Sequence, residues 1–240
     1  MIDVWCSPGL AIAPHALGDD ELARADRFLC ARTAATYRAA HTLMRRVLSH
    51  YRPACAPADW RFTTNPWGKP AAAAPMPAPA FNLSHSGDCI AIAVSDCEVG
   101  VDIEHVRPMP QFDEVARYVF HPDELRWRAR QPDPLRAFFR LWTLKEALLK
   151  AAGTGFSHPP RELSWHALDA PWSTAEFEGR TWLGATRAID GAILSVAVPL
   201  GSDVDDARLL TLRTGRPAVP DAATTDDLVA IPGPFLAARH

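Results

Sequence analysis

One segment limits the possible folds more than any other: DPLRAFFRLWTLKEALLKAAGTG, residues 133–155. It predicts a long helix. Asp133 is an N-cap candidate, Pro134 sits in the first turn, where its missing N–H costs nothing, and Gly153 supplies the stop. At about 100° per residue, Leu135, Phe138, Phe139, Trp142 and Leu149 form an apolar stripe. Glu146 falls inside that stripe, flanked by Lys145 and Lys150. A carboxylate on a packing face needs a partner, because an unpaired buried charge is costly. Lys150, four residues on in the favourable order, is one partner. A divalent cation shared with other acids is another.

GVDIE, residues 100–104, offers such acids. In a strand Asp102 and Glu104 point to one side, while Val101 and Ile103 point to the other. Alone, the pentapeptide is explained by a strand with one wet face. With Glu146 it makes three carboxylates, a set that suits Mg²⁺, and the nearby lysines would face phosphates.

The rest of the chain alternates helices and strands. Residues 2–5 predict a short strand, and 19–29 and 33–51 predict helices. Residues 61–70 read as strand followed by turn, and the Pro/Ala stretch 71–80 as loop. Short runs at 81–86, 89–95 and 99–104 predict consecutive strands joined by tight turns. Two helical stretches follow within 105–132, and strand-like runs follow the long helix up to residue 200. ILSVAVP in the second series echoes CIAIAVS in the first, which suggests two similar α+β halves. The expected division is 1–104, 105–200, and an extension of little periodicity at 201–240.

Other candidate residues lie in the turns. FNLSHSGD (81–88) carries Ser84 and His85, but neighbouring strand residues face opposite ways, so they form no nucleophile–base dyad. A phosphate-binding turn and a purely structural turn both fit. WGKP (67–70) places Lys69 on a turn. The 240 residues hold 25 Lys plus Arg but only three lysines, Lys69, Lys145 and Lys150, all within these segments. The net charge of −3 gives no basic field for nucleic acid, and no apolar run is long enough for a membrane span. The five cysteines are odd in number with no CxxC pair, and the N-terminus lacks a signal-peptide pattern; both point to the cytoplasm.

WGKP, FNLSHSG, GVDIE and WTLKEALLKAAGTG, in this order and spacing, resemble the 4′-phosphopantetheinyl transferases of the surfactin-synthetase-activating type. The resemblance implies an α+β fold of two similar halves related by a pseudo-twofold, acting as a monomer. It implies an enzyme that moves the 4′-phosphopantetheine arm of coenzyme A to a serine of an apo carrier protein, with Mg²⁺, releasing adenosine 3′,5′-bisphosphate. By matching motif, Asp102, Glu104 and Glu146 would bind the metal. Lys150 would bridge to the pyrophosphate, with Lys145 beside it. Lys69, Ser84 and His85 would hold the nucleotide end, helped by Arg24 and Arg38. Glu124, in FHPDEL, matches a position proposed as a base. Trp142 matches the motif as a packing residue. The arginines at 126, 128, 130 and 136 are a candidate dock for an acidic carrier helix.

Overall fold

The structure, a computed structural model, describes residues 2–8, 16–201 and 210–214. It opens with strand β1 (Ile2–Pro8) and helices α1 (Asp19–Ala25) and α2 (Ala31–Tyr51). A short antiparallel pair, β2 (Arg61–Thr64) and β3 (Pro70–Ala74), follows. Next come β4 (Ala80–Ser86), β5 (Cys89–Ser95) and β6 (Gly100–His105). Helices α3 (Phe112–Val119), α4 (Pro122–Ala129) and α5 (Pro134–Ala152) precede β7 (Trp165–His166), β8 (Ser173–Phe177), β9 (Arg180–Ile189) and β10 (Ala192–Pro199). The last described strand is β11 (Leu210–Thr214).

These strands make two larger sheets, ordered β11-β1-β5-β4 and β6-β10-β9-β8-β7. The expected duplication is visible in the pairing. In the first half a strand, then helices, then an antiparallel hairpin gives the order β1-β5-β4. In the second the same succession gives β6-β10-β9. The two echoing runs, CIAIAVS and ILSVAVP, are the equivalent strands β5 and β10. The boundary expected after residue 104 cuts β6, which pairs with β10 of the second sheet.

Period-two alternation divides the core into layers. Ile90, Ile92 and Val94 of β5 pack with Leu43, Val47 and Leu48 of α2. The alternate residues Ala91 and Ala93 share a cluster with Val101, Ile103, Leu194 and Val196 of the second sheet. On that sheet's other face, Ile193 and Ala197 pack with Leu144, Ala147 and Leu148 of α5. The layers therefore run α2, first sheet, second sheet, α5. Gly100 sets the last spacing: a Cβ there would stand 1.9 Å from the Ala147 carbonyl oxygen. Only a residue without a side chain lets α5 lie on β6.

Helix α5 begins and ends as the sequence predicts, whereas α1 stops at Ala25, short of the expected 29. Asp133 accepts from the Arg136 N–H at 2.9 Å, and Gly153 takes the left-handed conformation at φ 71°. Three expectations change. Residues 70–74 form β3 instead of loop, because pairing with β2 overrides the weak strand preference of alanine. Residues 210–214, expected in an aperiodic extension, form β11, parallel to β1; the rest of 202–240 lies outside the described residues. The stripe drawn on α5 is only part of its packing surface. Most residues from Ala137 to Ala151 are buried, because sheet and helices cover α5 on several sides, and Arg140, Trp142, Glu146 and Lys150 are the partly open positions.

All five cysteines are free. No helix among the described residues is long and apolar enough to cross a membrane.

Candidate active site

The site forms where the free edges of the two sheets meet. β4 ends the first sheet and β6 ends the second. Asp102 and Glu104 leave β6 on the side that faces α5, in register with Ser195 and Ile193 of β10. Val101 and Ile103 go to the core, as alternation requires. α5 is fixed on that face by apolar packing and by a buried chain of hydroxyls. Thr143 Oγ1 and Ser195 Oγ are 2.7 Å apart, and Thr186 Oγ1 lies 2.9 Å from Ser195 Oγ. One and two turns further along the helix stand Glu146 and Lys150.

Lys150 Nζ donates to Asp102 Oδ1 at 2.6 Å and to Ser84 Oγ at 3.0 Å. Ser84 Oγ in turn donates to the same Asp102 oxygen at 2.7 Å. Asp102 is buried, and its Oδ2 has no hydrogen-bond partner among the described residues. Burial raises the Asp102 pKa, Lys150 and Ser84 draw it back, and Glu104 adds to the rise. Glu104 Oε2 accepts from Ser86 Oγ at 2.6 Å and from Arg107 Nη1 at 2.9 Å. Glu146 has no hydrogen bond or ion pair among the described residues. Burial first, then the charges of Asp102 and Glu104, push its pKa to about 7 against the pull of Lys150.

The structure thus brings together Ser84, Asp102, Glu104, Glu146 and Lys150. It places the other expected residues elsewhere. Lys145 leaves α5 one residue before Glu146 and points to a different wall. Its ammonium lies 2.8 Å from Glu124 and donates to the carbonyls of Pro160, at 2.7 Å, and Leu163. Glu124 is fully buried and also accepts from the N–H groups of His121 and Trp165 at 2.8 and 2.9 Å. The pair ties α4, α5 and the 160–165 segment together. Lys69 Nζ donates to the Ala151 carbonyl at 2.6 Å and reaches that of Val99 at 3.4 Å. It holds the negative end of α5 against the start of β6, and burial lowers its pKa.

The nucleotide-end residues are distributed. His85 is exposed by area, but surrounding protein, then Lys150 and His41, hold its pKa below the ordinary value. Arg38 pairs with Asp26 at 2.5 Å, and Arg24 lies over the Tyr37 ring. Of the proposed docking arginines, Arg128 is mostly buried against Asp113 and the Phe112 ring; Arg130 and Arg136 are exposed. Sequence reasoning passed over Asn82, Arg107 and His41. His41 Nδ1 is 2.7 Å from Glu21 Oε1, and its ring stacks near Tyr37. Asn82 stands in a period-two polar series with Ser84 and Ser86.

An acid–lysine cluster thus stands at the seam of a duplicated α+β fold. In comparison with known proteins, residues 98–197 match the 4′-phosphopantetheinyl transferase superfamily. That stretch contains Asp102, Glu104, Glu146 and Lys150. The 4′-phosphopantetheinyl transferase HetI of Nostoc sp. (strain PCC 7120) is 34% identical over 146 residues, 59% of this chain and 61% of HetI. The transferase psf-1 of Bacillus pumilus is 40% identical over 99 residues, 40% of this chain and 41% of that one. The Bacillus subtilis 4′-phosphopantetheinyl transferase is 38% identical over 105 residues, 43% and 46% of the two chains. The chain therefore spans about three fifths of HetI and less than half of the two Bacillus proteins.

Proposed function

We propose that this protein transfers the 4′-phosphopantetheine group of coenzyme A to a serine hydroxyl of an apo carrier protein, releasing adenosine 3′,5′-bisphosphate. The observation that carries the reading is the pairing of Lys150 with one oxygen of Asp102, while the other oxygen, buried, lacks a partner beside Glu146. A buried carboxylate oxygen without a donor, near two more carboxylates, fits a hard dication. No group of three or more His, Cys, Asp or Glu stands assembled as a metal site among the described residues. A Mg²⁺ ion here would depend on substrate phosphates and water to complete its shell.

In this reading Asp102, Glu104 and Glu146 would hold Mg²⁺, which would supply positive charge to neutralise the pyrophosphate. Lys150 places an ammonium beside Asp102, from which it can bridge to a phosphate oxygen and donate a proton to the departing group. Glu146, which has no hydrogen-bond partner among the described residues, would accept the proton of the attacking serine hydroxyl, directly or through a water. Ser84 orients Asp102, and His85 faces the nucleotide end with His41 and Lys150 in electrostatic reach. Arg24 and Arg38 line the helices of that side. Both sheet edges that build the site come from one chain, which supports a monomer. The free arginines Arg130 and Arg136 serve as contacts for an acidic carrier helix.

The test is product analysis. With coenzyme A, Mg²⁺ and an apo carrier protein, adenosine 3′,5′-bisphosphate should accumulate only when all three are present. Release of inorganic phosphate without dependence on the carrier would replace transfer by hydrolysis.

A further inference from the structure

Three side chains of β4 reach three backbone groups of β6 at constant offset. Asn82 Oδ1 accepts from the Val101 N–H at 2.9 Å, Ser84 Oγ from that of Ile103 at 3.4 Å, and Ser86 Oγ from that of His105 at 3.2 Å. These N–H groups lie on the edge of β6 away from β10 and would otherwise be the orphan donors of an edge strand. The two sheets are therefore joined by a ladder in which side chains stand in for one strand's backbone.

Two rungs do more. Each serine accepts from the backbone and donates its own proton to the acid of the same rung: Ser84 to Asp102 Oδ1 at 2.7 Å, Ser86 to Glu104 Oε2 at 2.6 Å. A cation binds the same oxygen in each case, Lys150 on Asp102 Oδ1 and Arg107 on Glu104 Oε2. The arrangement repeats with the two-residue period of both strands. It engages one oxygen of each carboxylate: Asp102 Oδ2 is left buried without a partner, and the hydrogen bonds to Glu104 go to Oε2 and not to Oε1. Arg107 is itself steadied, 5.6 Å over the ring of Phe139 on α5.

We infer that Ser86 and Arg107 are positioning residues that hold Glu104 so that Oε1 is presented to a cation, matching what Ser84 and Lys150 do for Asp102. The ladder from the first half thereby fixes the metal-binding geometry of the second. Hydrogen-bond partners of metal-ligating carboxylates typically change affinity by about 10–100-fold when removed. This inference rests on the proposed cation role of Asp102 and Glu104.

The test is Mn²⁺ binding to the full chain with coenzyme A present, followed by electron paramagnetic resonance, with melting temperature measured in parallel. Ser86→Ala should weaken the Mn²⁺ Kd by about 10-fold, and Ser86→Thr, which keeps the hydroxyl, should restore it. Arg107→Gln, at an exposed site, should also weaken Mn²⁺ and covers the case in which Ser86→Ala folds poorly. Asn82→Ala removes a rung that touches no acid; it should lower the melting temperature and leave the Kd unchanged. Wild-type Mn²⁺ affinity in Ser86→Ala and Arg107→Gln, with binding lost in Asp102→Ala, overturns the inference and leaves the metal site standing. An equal loss of Mn²⁺ affinity in Asn82→Ala also overturns it, by reducing the ladder to general structure. No Mn²⁺ binding by the wild type overturns the metal reading and this inference with it.

Discussion

Replacing Glu146 by glutamine should change how stability depends on pH, in a direction the structure fixes. Glu146 is moved from 4.5 to about 7 by burial and by the charges of Asp102 and Glu104. The folded state therefore binds this proton more tightly than the unfolded chain. Stability conferred by the neutral carboxyl is complete below the unfolded value and is lost as pH rises towards about 7. A shift of that size corresponds to about 3 kcal/mol without screening. Glu146 is partly open to solvent, so a figure of about 2 kcal/mol is reasonable. For a chain of this length that equals roughly 4–8 °C in melting temperature. The assay is calorimetry in a chelator between pH 5 and pH 8. Wild type and Glu146→Gln should melt together near pH 5, and the variant should melt higher at pH 8. Glu21, whose pKa is lowered in the fold from 4.5, alters stability only as pH falls to that value and below, so it adds little slope here and the same in both proteins. Excess Mg²⁺ should close the gap at pH 8 by stabilising the wild type. Parallel curves for the two proteins across this range would refute the reasoning.

Lys145→Met should lower stability by about 3–5 kcal/mol, because it strands the buried Glu124 carboxylate; the double variant Lys145→Met/Glu124→Leu should recover much of the loss in denaturant titrations. Lys150→Arg should cut the transfer rate by on the order of 100-fold with a smaller effect on melting, since a planar fork cannot place one charge on both Ser84 and Asp102. Gly100→Ala should destabilise the fold by at least about 1–3 kcal/mol, because its Cβ meets α5 backbone at 1.9 Å, and should lower activity as Glu146 and Lys150 shift with the helix.

Strong local signals made much of the fold legible in the sequence. Asp133, Pro134 and Gly153 bracket α5 to within a residue or two, and alternation in 89–95 and 99–104 marks β5 and β6. The echo between β5 and β10 reported a real duplication. The strand at 70–74 was not legible, because five residues dominated by alanine carry no strand signal without their partner β2. The burial of α5 was misread for a related reason. A helical wheel separates apolar from polar, but what surrounds the wheel is decided by strands and helices far away in sequence. Glu146 therefore lies on the open side, not within the packing face. The site divided in the same way. Parity put Asp102 and Glu104 on one face and helical spacing put Glu146 near Lys150, but the strand alone read as one with a wet face until it was set beside the helix. Lys145 and Glu124 share that spacing and chemistry, and only the fold reveals that they neutralise each other in the interior. The ladder from Asn82, Ser84 and Ser86 depended on two sheet edges meeting, which no local pattern encodes.

The most direct test of the account is the intact mass of an apo carrier protein incubated with coenzyme A and the enzyme, with and without a chelator. Wild type should convert the carrier serine to its phosphopantetheinyl form, and conversion should fail in the chelator and return on adding Mg²⁺. Asp102→Ala should give none while remaining folded. Full conversion by Asp102→Ala, or by wild type stripped of divalent cations, would contradict the claim that the acids at this seam hold the ion required for transfer.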